Sequence, residues 1–162
     1  MNSIIEIFTD GSCHTQLCVG AWASIIVINE NKIILSGSEL QTTHNRMEIL
    51  AVIKSIHYLQ QNLKEEKIIH VISDSQYVIG LIEREKKFIA KNFKTKSGNT
   101  IRNIDLISEL LNLLKQFKIS FIKIKAHQKI SEATKYNIEV DKLSRAIVRT
   151  LVKNDETRNK KL

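Results

Sequence analysis

Four acids and one histidine carry the chemistry open to this sequence. They are Asp10 in IIEIFTDGSC, Glu48 in NRMEILAV, Asp74 in HVISDSQYV, Asp141 in NIEVDKLSR and His127 in KIKAHQK. Asp10 and Asp74 each follow an apolar run of strand type, and strand ends at the rim of an α/β sheet are where side chains are held over a crevice. Read alone, Asp10-Gly11 is equally a turn dipeptide. Glu48 lies four residues before Val52 and begins the stripe Val52, Ile56, Leu59, Leu63, so it shares the buried face of a helix. The run from Asn45 to Glu48 also fits a capping-box variant. Asp141 stands near the start of the last helix, where the helix dipole favours an acid. Carboxylates brought together repel, by about 4 kcal/mol for a pair ~4 Å apart at an effective dielectric near 20, so a cation must offset them. All-oxygen donors select hard divalent ions, Mg²⁺ or Mn²⁺, over zinc. Four acids then fit a two-ion site acting on a phosphodiester, and His127 stands just beyond the final strand, where a loop could carry an imidazole over the same crevice.

The elements that must position these groups are legible as changes of period. Ile4 to Thr9, Trp22 to Ile28 and Ile33 to Gly37 read as strands, the last two joined at Asn29-Glu30-Asn31. Asn45 to Leu63 reads as helix, Ile68 to Ser73 as a β-branched strand, Gln76 to Ile82 and Lys86 to Lys91 as helices, and Ile101 to Phe117 as a longer one. Ile119 to Lys125 is the last strand and Asn137 to Val152 the last helix. The order βββαβα(α)αβα gives an α/β fold with a five-stranded mixed sheet flanked by helices, the helix-separated strands parallel.

Composition narrows the partner. The chain has 162 residues, 43% hydrophobic content, no proline and two cysteines. This suits one domain over residues 1–153, followed by a basic tail over 154–162 that is expected to be disordered. No apolar run reaches membrane length and the N-terminus lacks a signal-peptide pattern, so a monomeric cytoplasmic protein is expected. Cys13 and Cys18 read as reduced structural thiols. The net charge of +8 and pI near 9.5 point to a polyanion. Seven basic residues lie between Arg84 and Arg102 against the single acid Glu85, with Phe88 and Phe93 interleaved.

The segments IFTDGSC, TTHNRMEILAVI, SDSQYV and NIEVDKLSR, in this order, resemble the four acidic motifs of ribonuclease H type 1 over Ile4 to Val152. That resemblance implies the ribonuclease H-like fold and endonucleolytic hydrolysis of the RNA strand of RNA/DNA hybrids, leaving 5′-phosphate and 3′-hydroxyl ends. It implies Asp10, Glu48, Asp74 and Asp141 as ligands of two Mg²⁺ ions, with Mn²⁺ as substitute, and His127 as an aid to proton transfer or product release. Thr43 and Asn45 would contact the hybrid, with Ser12, Gln16 and His44 beside them as further candidates. The segment containing Lys86, Lys87, Lys91, Lys94 and Lys96 would be the family's basic protrusion.

The sequence also departs from the family pattern. HTQLCVG replaces a Gly- and Pro-rich loop after the first motif, with Gln16 where Asn is expected. Before the last motif, Ala126 precedes His127, a second His is absent, Ile138 follows Asn137, and the loop is longer. Two other readings share parts of the pattern. A 3′-5′ exonuclease of related fold needs Asp-x-Glu in its first motif, and Ser12 holds the second acidic position. A non-catalytic nucleic-acid-binding module accounts for the charge but not for four acids so placed.

Overall fold

Strand β1 (Ile4–His14) carries buried apolar side chains on both faces, Ile5 and Ile7 on one and Phe8 on the other. In the computed structural model, which describes residues 4–63, 68–125, 129–132 and 134–159, it lies at the centre of one sheet. The other strands are β2 (Val19–Ile28), β3 (Asn31–Glu39), β4 (Ile68–Ser73) and β5 (Lys118–Lys123), in spatial order β3-β2-β1-β4-β5. The helices are α1 (His44–Asn62), α2 (Gln76–Glu83), α3 (Glu85–Ala90), α4 (Ile104–Leu114) and α5 (Lys135–Asn159). The element order is the one read from sequence. β1 and β2, and β2 and β3, pair antiparallel; β4 pairs parallel with β1 and with β5.

Alternation along β1 divides the core in two. Ile5 and Ile7 join Ile49, Ile53 and Ile56 of α1 and Leu110 of α4. Phe8, with Ala23, Ile25 and Ile72, packs under Val140 of α5. Fully burying one such aliphatic side chain stabilises the fold by about 1.5–3 kcal/mol, and the sheet has a layer of them on each side. One polar pair crosses the first layer: the hydroxyls of Ser24 in β2 and Ser55 in α1 are 2.5 Å apart, and Ser55 also donates to the Ala51 carbonyl at 2.7 Å.

The boundaries differ from the sequence reading where pairing, not apolarity, sets them. β1 runs to His14 rather than Thr9 because the hairpin with β2 continues as far as the His14–Val19 pair. Asp10-Gly11 is therefore strand, not turn. The β2–β3 turn is two residues long, Asn29 (φ 47°) and Glu30 (φ 69°), with Ile28 paired to Asn31. Both central residues are left-handed, as the twist of a two-residue hairpin demands, and Glu30 takes that conformation without being glycine. α4 begins at Ile104, because the Ile101 amide bonds back to the Phe93 carbonyl at 3.0 Å and Asn103 sits at φ 58°, leaving Ile101 to Asn103 in the preceding loop. α5 continues to Asn159, so residues 154–159 are helical where a disordered tail was expected.

Gly11 lets the backbone of α1 lie close against β1. A Cβ there would lie 2.4 Å from the Glu48 amide nitrogen and 2.6 Å from the Met47 carbonyl carbon, both backbone atoms that cannot swing aside. Gly11→Ala should therefore push α1 off β1, destabilising the protein by about 1–3 kcal/mol as overpacked cores do. Thermal or urea unfolding checks this, and a stability equal to that of the unaltered chain would show that α1 can shift freely.

Candidate active site

The parallel register sets two of the acids level. Ile4 to Phe8 pair with Ile68 to Ile72, so two residues beyond the last pair each strand reaches its acid, Asp10 on one and Asp74 on the other. β1 goes on, with Asp10 opposite Ala23 of β2, while β4 ends at Ser73. The sheet opens between them at the C-terminal end of the parallel strands, where crevices form in such sheets. Asp10 is thus within a strand rather than at its end, and it is the parallel half of the sheet that ends near it.

Glu48 arrives from α1. Thr43 caps this helix, its hydroxyl accepting from the Arg46 amide at 3.4 Å. The capping-box reading from Asn45 is not what forms: Glu48 is buried and its Oε1 lies 3.1 Å from Nε2 of His44, one turn earlier. Gly11 makes this approach to β1 geometrically open. Ligand oxygens of Asp10, Glu48 and Asp74 lie within 4.8 Å of one another. They line a cleft of about 560 Å³ together with Asp141 and Arg145 of α5. Asp141 stands outside the three-acid group, with Arg145 Nε donating to its Oδ1 at 2.7 Å.

The electrostatics follow from burial and crowding. Burial, and then the neighbouring Glu48 charge, push the Asp10 carboxyl up from 3.8 to about 7; Asp141 and Asp74 add to this, and a hydrogen bond from the Ser144 hydroxyl opposes it. Burial raises Glu48 as well, against its hydrogen bond with His44. The same hydrogen bond raises the His44 imidazole, overcoming its partial burial. Among the described residues, Glu48 Oε2 is buried with no hydrogen-bond partner. An orphaned carboxylate oxygen beside two other acids suits a hard divalent cation, which supplies the missing positive charge and prefers oxygen donors. This group of acids could hold a metal.

Of the other residues expected from sequence, Ser12, His44 and Asn45 line the cleft. Thr43 serves as the helix cap, and Gln16 is exposed in the β1–β2 loop; neither lines the cleft. Lys87, Lys91, Lys94 and Lys96 line a separate recess of about 180 Å³ with Arg84 and Phe88, while Lys86 is exposed on α3 without lining it. His127 lies outside the described residues. The structure adds Cys13, Ser75, Gln76, Tyr77 and Arg145 to the cleft, and Ser144 as the hydroxyl on Asp10. A signal for the last two was present: they stand three and four residues after Asp141, on its side of the helix.

The model of the RNase H family matches residues 2–149. A ribonuclease H of Chlorobium phaeobacteroides is 32% identical over 151 residues, spanning 92% of this chain and 98% of that one. One of Caldanaerobacter subterraneus is 33% identical, spanning 95% and 97%. The chain belongs to the RNase H family. Its RNase H fold is shared by the crystal structure of LC9-RNase H1, a type 1 RNase H with the type 2 active-site motif, at a TM-score of 0.77 and 17% identity, over 93% of this chain and 74% of that one. Among the described residues, no helix of this RNase H is long and apolar enough to cross a membrane.

A raised Asp10 has a definite sign in stability. Between 3.8 and about 7 the folded, metal-free RNase H holds a proton that the unfolded chain has released, so its stability falls as pH rises through that window. Asp10→Asn should flatten this fall and raise the melting temperature in chelator at about pH 8, with ~1 kcal/mol corresponding to ~2–4 °C at this size. Calorimetric melting of both proteins across the window checks it. Parallel pH profiles would return Asp10 to ordinary carboxylate behaviour.

Proposed function

We propose that this RNase H hydrolyses the RNA strand of RNA/DNA hybrids as an endonuclease, using two divalent cations, Mg²⁺ or in its place Mn²⁺, and leaving 5′-phosphate and 3′-hydroxyl ends. The observation that carries the proposal is the convergence of Asp10, Glu48 and Asp74 within 4.8 Å, on a chain of net charge +8. Bound there, the cations would supply activation of the attacking water and charge stabilisation of the leaving oxygen. Asp10, Glu48 and Asp74 are the ligands of the proposal and Asp141 the fourth. Arg145, half exposed, holds Asp141 in a pair of the surface kind, which contributes about 0–1 kcal/mol and is readily given up. His127 belongs to the proposal as the group that moves a proton or eases product release.

Recognition would fall to neutral polar groups at the cleft and cations beside it. Ser12, Asn45 and Gln76 offer hydroxyl and amide groups, which both donate and accept, to 2′-hydroxyls and sugar edges. The basic segment is stiffened from within: the Phe88 and Phe93 rings stack 6.4 Å apart, Arg84 lies over Phe88, and Lys94 bridges to Thr100. Its foot is joined to the cleft wall, where the Asn103 amide donates to Tyr77 Oη at 3.1 Å and Arg46 forks onto Asp105 at 2.9 and 2.8 Å.

The decisive assay offers RNA/DNA hybrid, duplex DNA, duplex RNA and single strands, each with Mg²⁺, Mn²⁺ or chelator. Cleavage is expected of the RNA in the hybrid, dependent on the cation, because discrimination needs a 2′-hydroxyl on one strand and deoxyribose on the other. Comparable cutting of duplex DNA would overturn the reading.

Binding and chemistry should separate in the basic segment. Each phosphate contact releases counterions, so log K falls with log salt at roughly −0.9 per contact, the duplex-DNA value. Replacing Lys87, Lys91, Lys94 and Lys96 by Gln should flatten that slope by about two to four units and raise KM, with kcat at saturating hybrid nearly unchanged. An unaltered slope in the folded quadruple variant would move the binding surface elsewhere.

A further inference from the structure

Helix α5 buries a stripe made of Asn137, Val140, Ser144 and Val148 against the sheet. Ser144, at the middle of that stripe, is fully buried. Alanine would complete the apolar face there and has the higher helix propensity, so serine is not what packing or helix formation alone would select. Nor does its hydroxyl need a partner beyond its own helix, since the Asp141 carbonyl lies 3.1 Å away, the usual back-bond of a helical serine. Yet the hydroxyl reaches Oδ2 of Asp10 as well, across the gap between α5 and β1, so its one proton is shared between the Asp141 carbonyl and the Asp10 carboxyl. Ser144 is thus shared between two acids of the cleft, the side chain of one and the backbone of the other.

We propose that Ser144 is a positioning residue for the acidic cleft: its hydroxyl fixes the Asp10 carboxylate and ties it to the turn of α5 that carries Asp141. The inference rests on the metal-dependent reading above, in which Asp10 is a ligand. One of the two Asp10 oxygens is engaged by a neutral donor that cannot itself neutralise the carboxylate. The other oxygen is left for a cation while the carboxyl loses rotational freedom, which is what hydrogen-bonded partners of metal ligands supply. The same contact links the two sides of the cleft, strand and helix, so Asp10 and Asp141 are held in one frame.

Calorimetric titration of Mg²⁺ and of Mn²⁺ into the protein without nucleic acid tests this directly. Ser144→Ala should weaken cation binding by about 10-fold, the lower end for groups that orient metal ligands. Its kcat should fall at low cation concentration and recover at high concentration, with KM for hybrid unchanged. Ser144→Cys, close in size but a weak donor, should show the same loss, which separates the hydroxyl from the volume it fills. A merely structural serine would alter the melting temperature in chelator and leave the cation isotherm where it was. If both variants bind cations within twofold of the unaltered protein while Asp10→Asn does not bind, the positioning role is overturned and the metal reading stands. If the unaltered protein binds no divalent cation, both are overturned.

Discussion

Mutual repulsion among Asp10, Glu48 and Asp74 is the constraint around which the rest of this structure is arranged. At ~4 Å each pair of such charges costs about 4 kcal/mol in a partly screened interior, before any cost of burial. The fold holds them there with elements that cannot relax separately. Asp10 is in the central strand, paired on one side and packed on both faces; Asp74 follows a neighbouring strand locked in parallel register; Glu48 rides a helix pressed onto Gly11. The energy comes from the two apolar layers, and the strain appears where titration would reveal it, in an Asp10 carboxyl raised to about 7.

The site's own partners moderate this repulsion without ending it. Each acid that is paired meets a different group. Ser144, neutral and buried, meets Asp10; His44, more than half exposed, meets Glu48; Arg145, half exposed, meets Asp141. The buried contact fixes geometry. The Arg145–Asp141 pair is exposed enough to be weak, so a stronger cation can displace it, whereas His44 reaches from the surface to a buried Glu48. One oxygen, Glu48 Oε2, is buried without a hydrogen-bond partner among the described residues, which leaves room for a cation to meet it.

Much of this was legible in the sequence because period and spacing encode it. The element order and mixed sheet follow from where a two-residue period gives way to a helical one. The convergence of the acids follows from equivalent positions after two strands and from the phase of Glu48 in its helix. What could not be read was set by contacts distant along the chain. β1 outruns its apolar run because β2 pairs with it as far as Val19, and no local pattern in DGSCH announces that. Gly11 looks like a turn glycine until α1 is seen lying on it. Thr43 reads only as a hybrid contact, and its cap on α1 shows once the helix start is placed. Ser144 went unread because its place three residues after Asp141 marks the helix face it shares but not the strand acid it meets.

The division of labour across the sheet explains why so basic a protein can keep so acidic a centre. The acids meet where the parallel strands end, in an open cleft in which Asp10 and Glu48 are buried and Asp74 and Asp141 half-buried. The cations of the basic segment lie on α3 and the loop that follows it, braced by Phe88 and Phe93 against the core, with no ion pair to the acids of the cleft among the described residues. Had those lysines folded onto the acidic cluster, they would have neutralised it and filled the place of a divalent ion. Instead the link from one region to the other runs through Tyr77, Asn103, Arg46 and Asp105, a chain in which the one strong charge pair is closed on itself. The basic surface can therefore draw in and orient a polyanion while the acidic centre stays short of positive charge, and that shortage is what a metal-dependent site needs before its ions arrive.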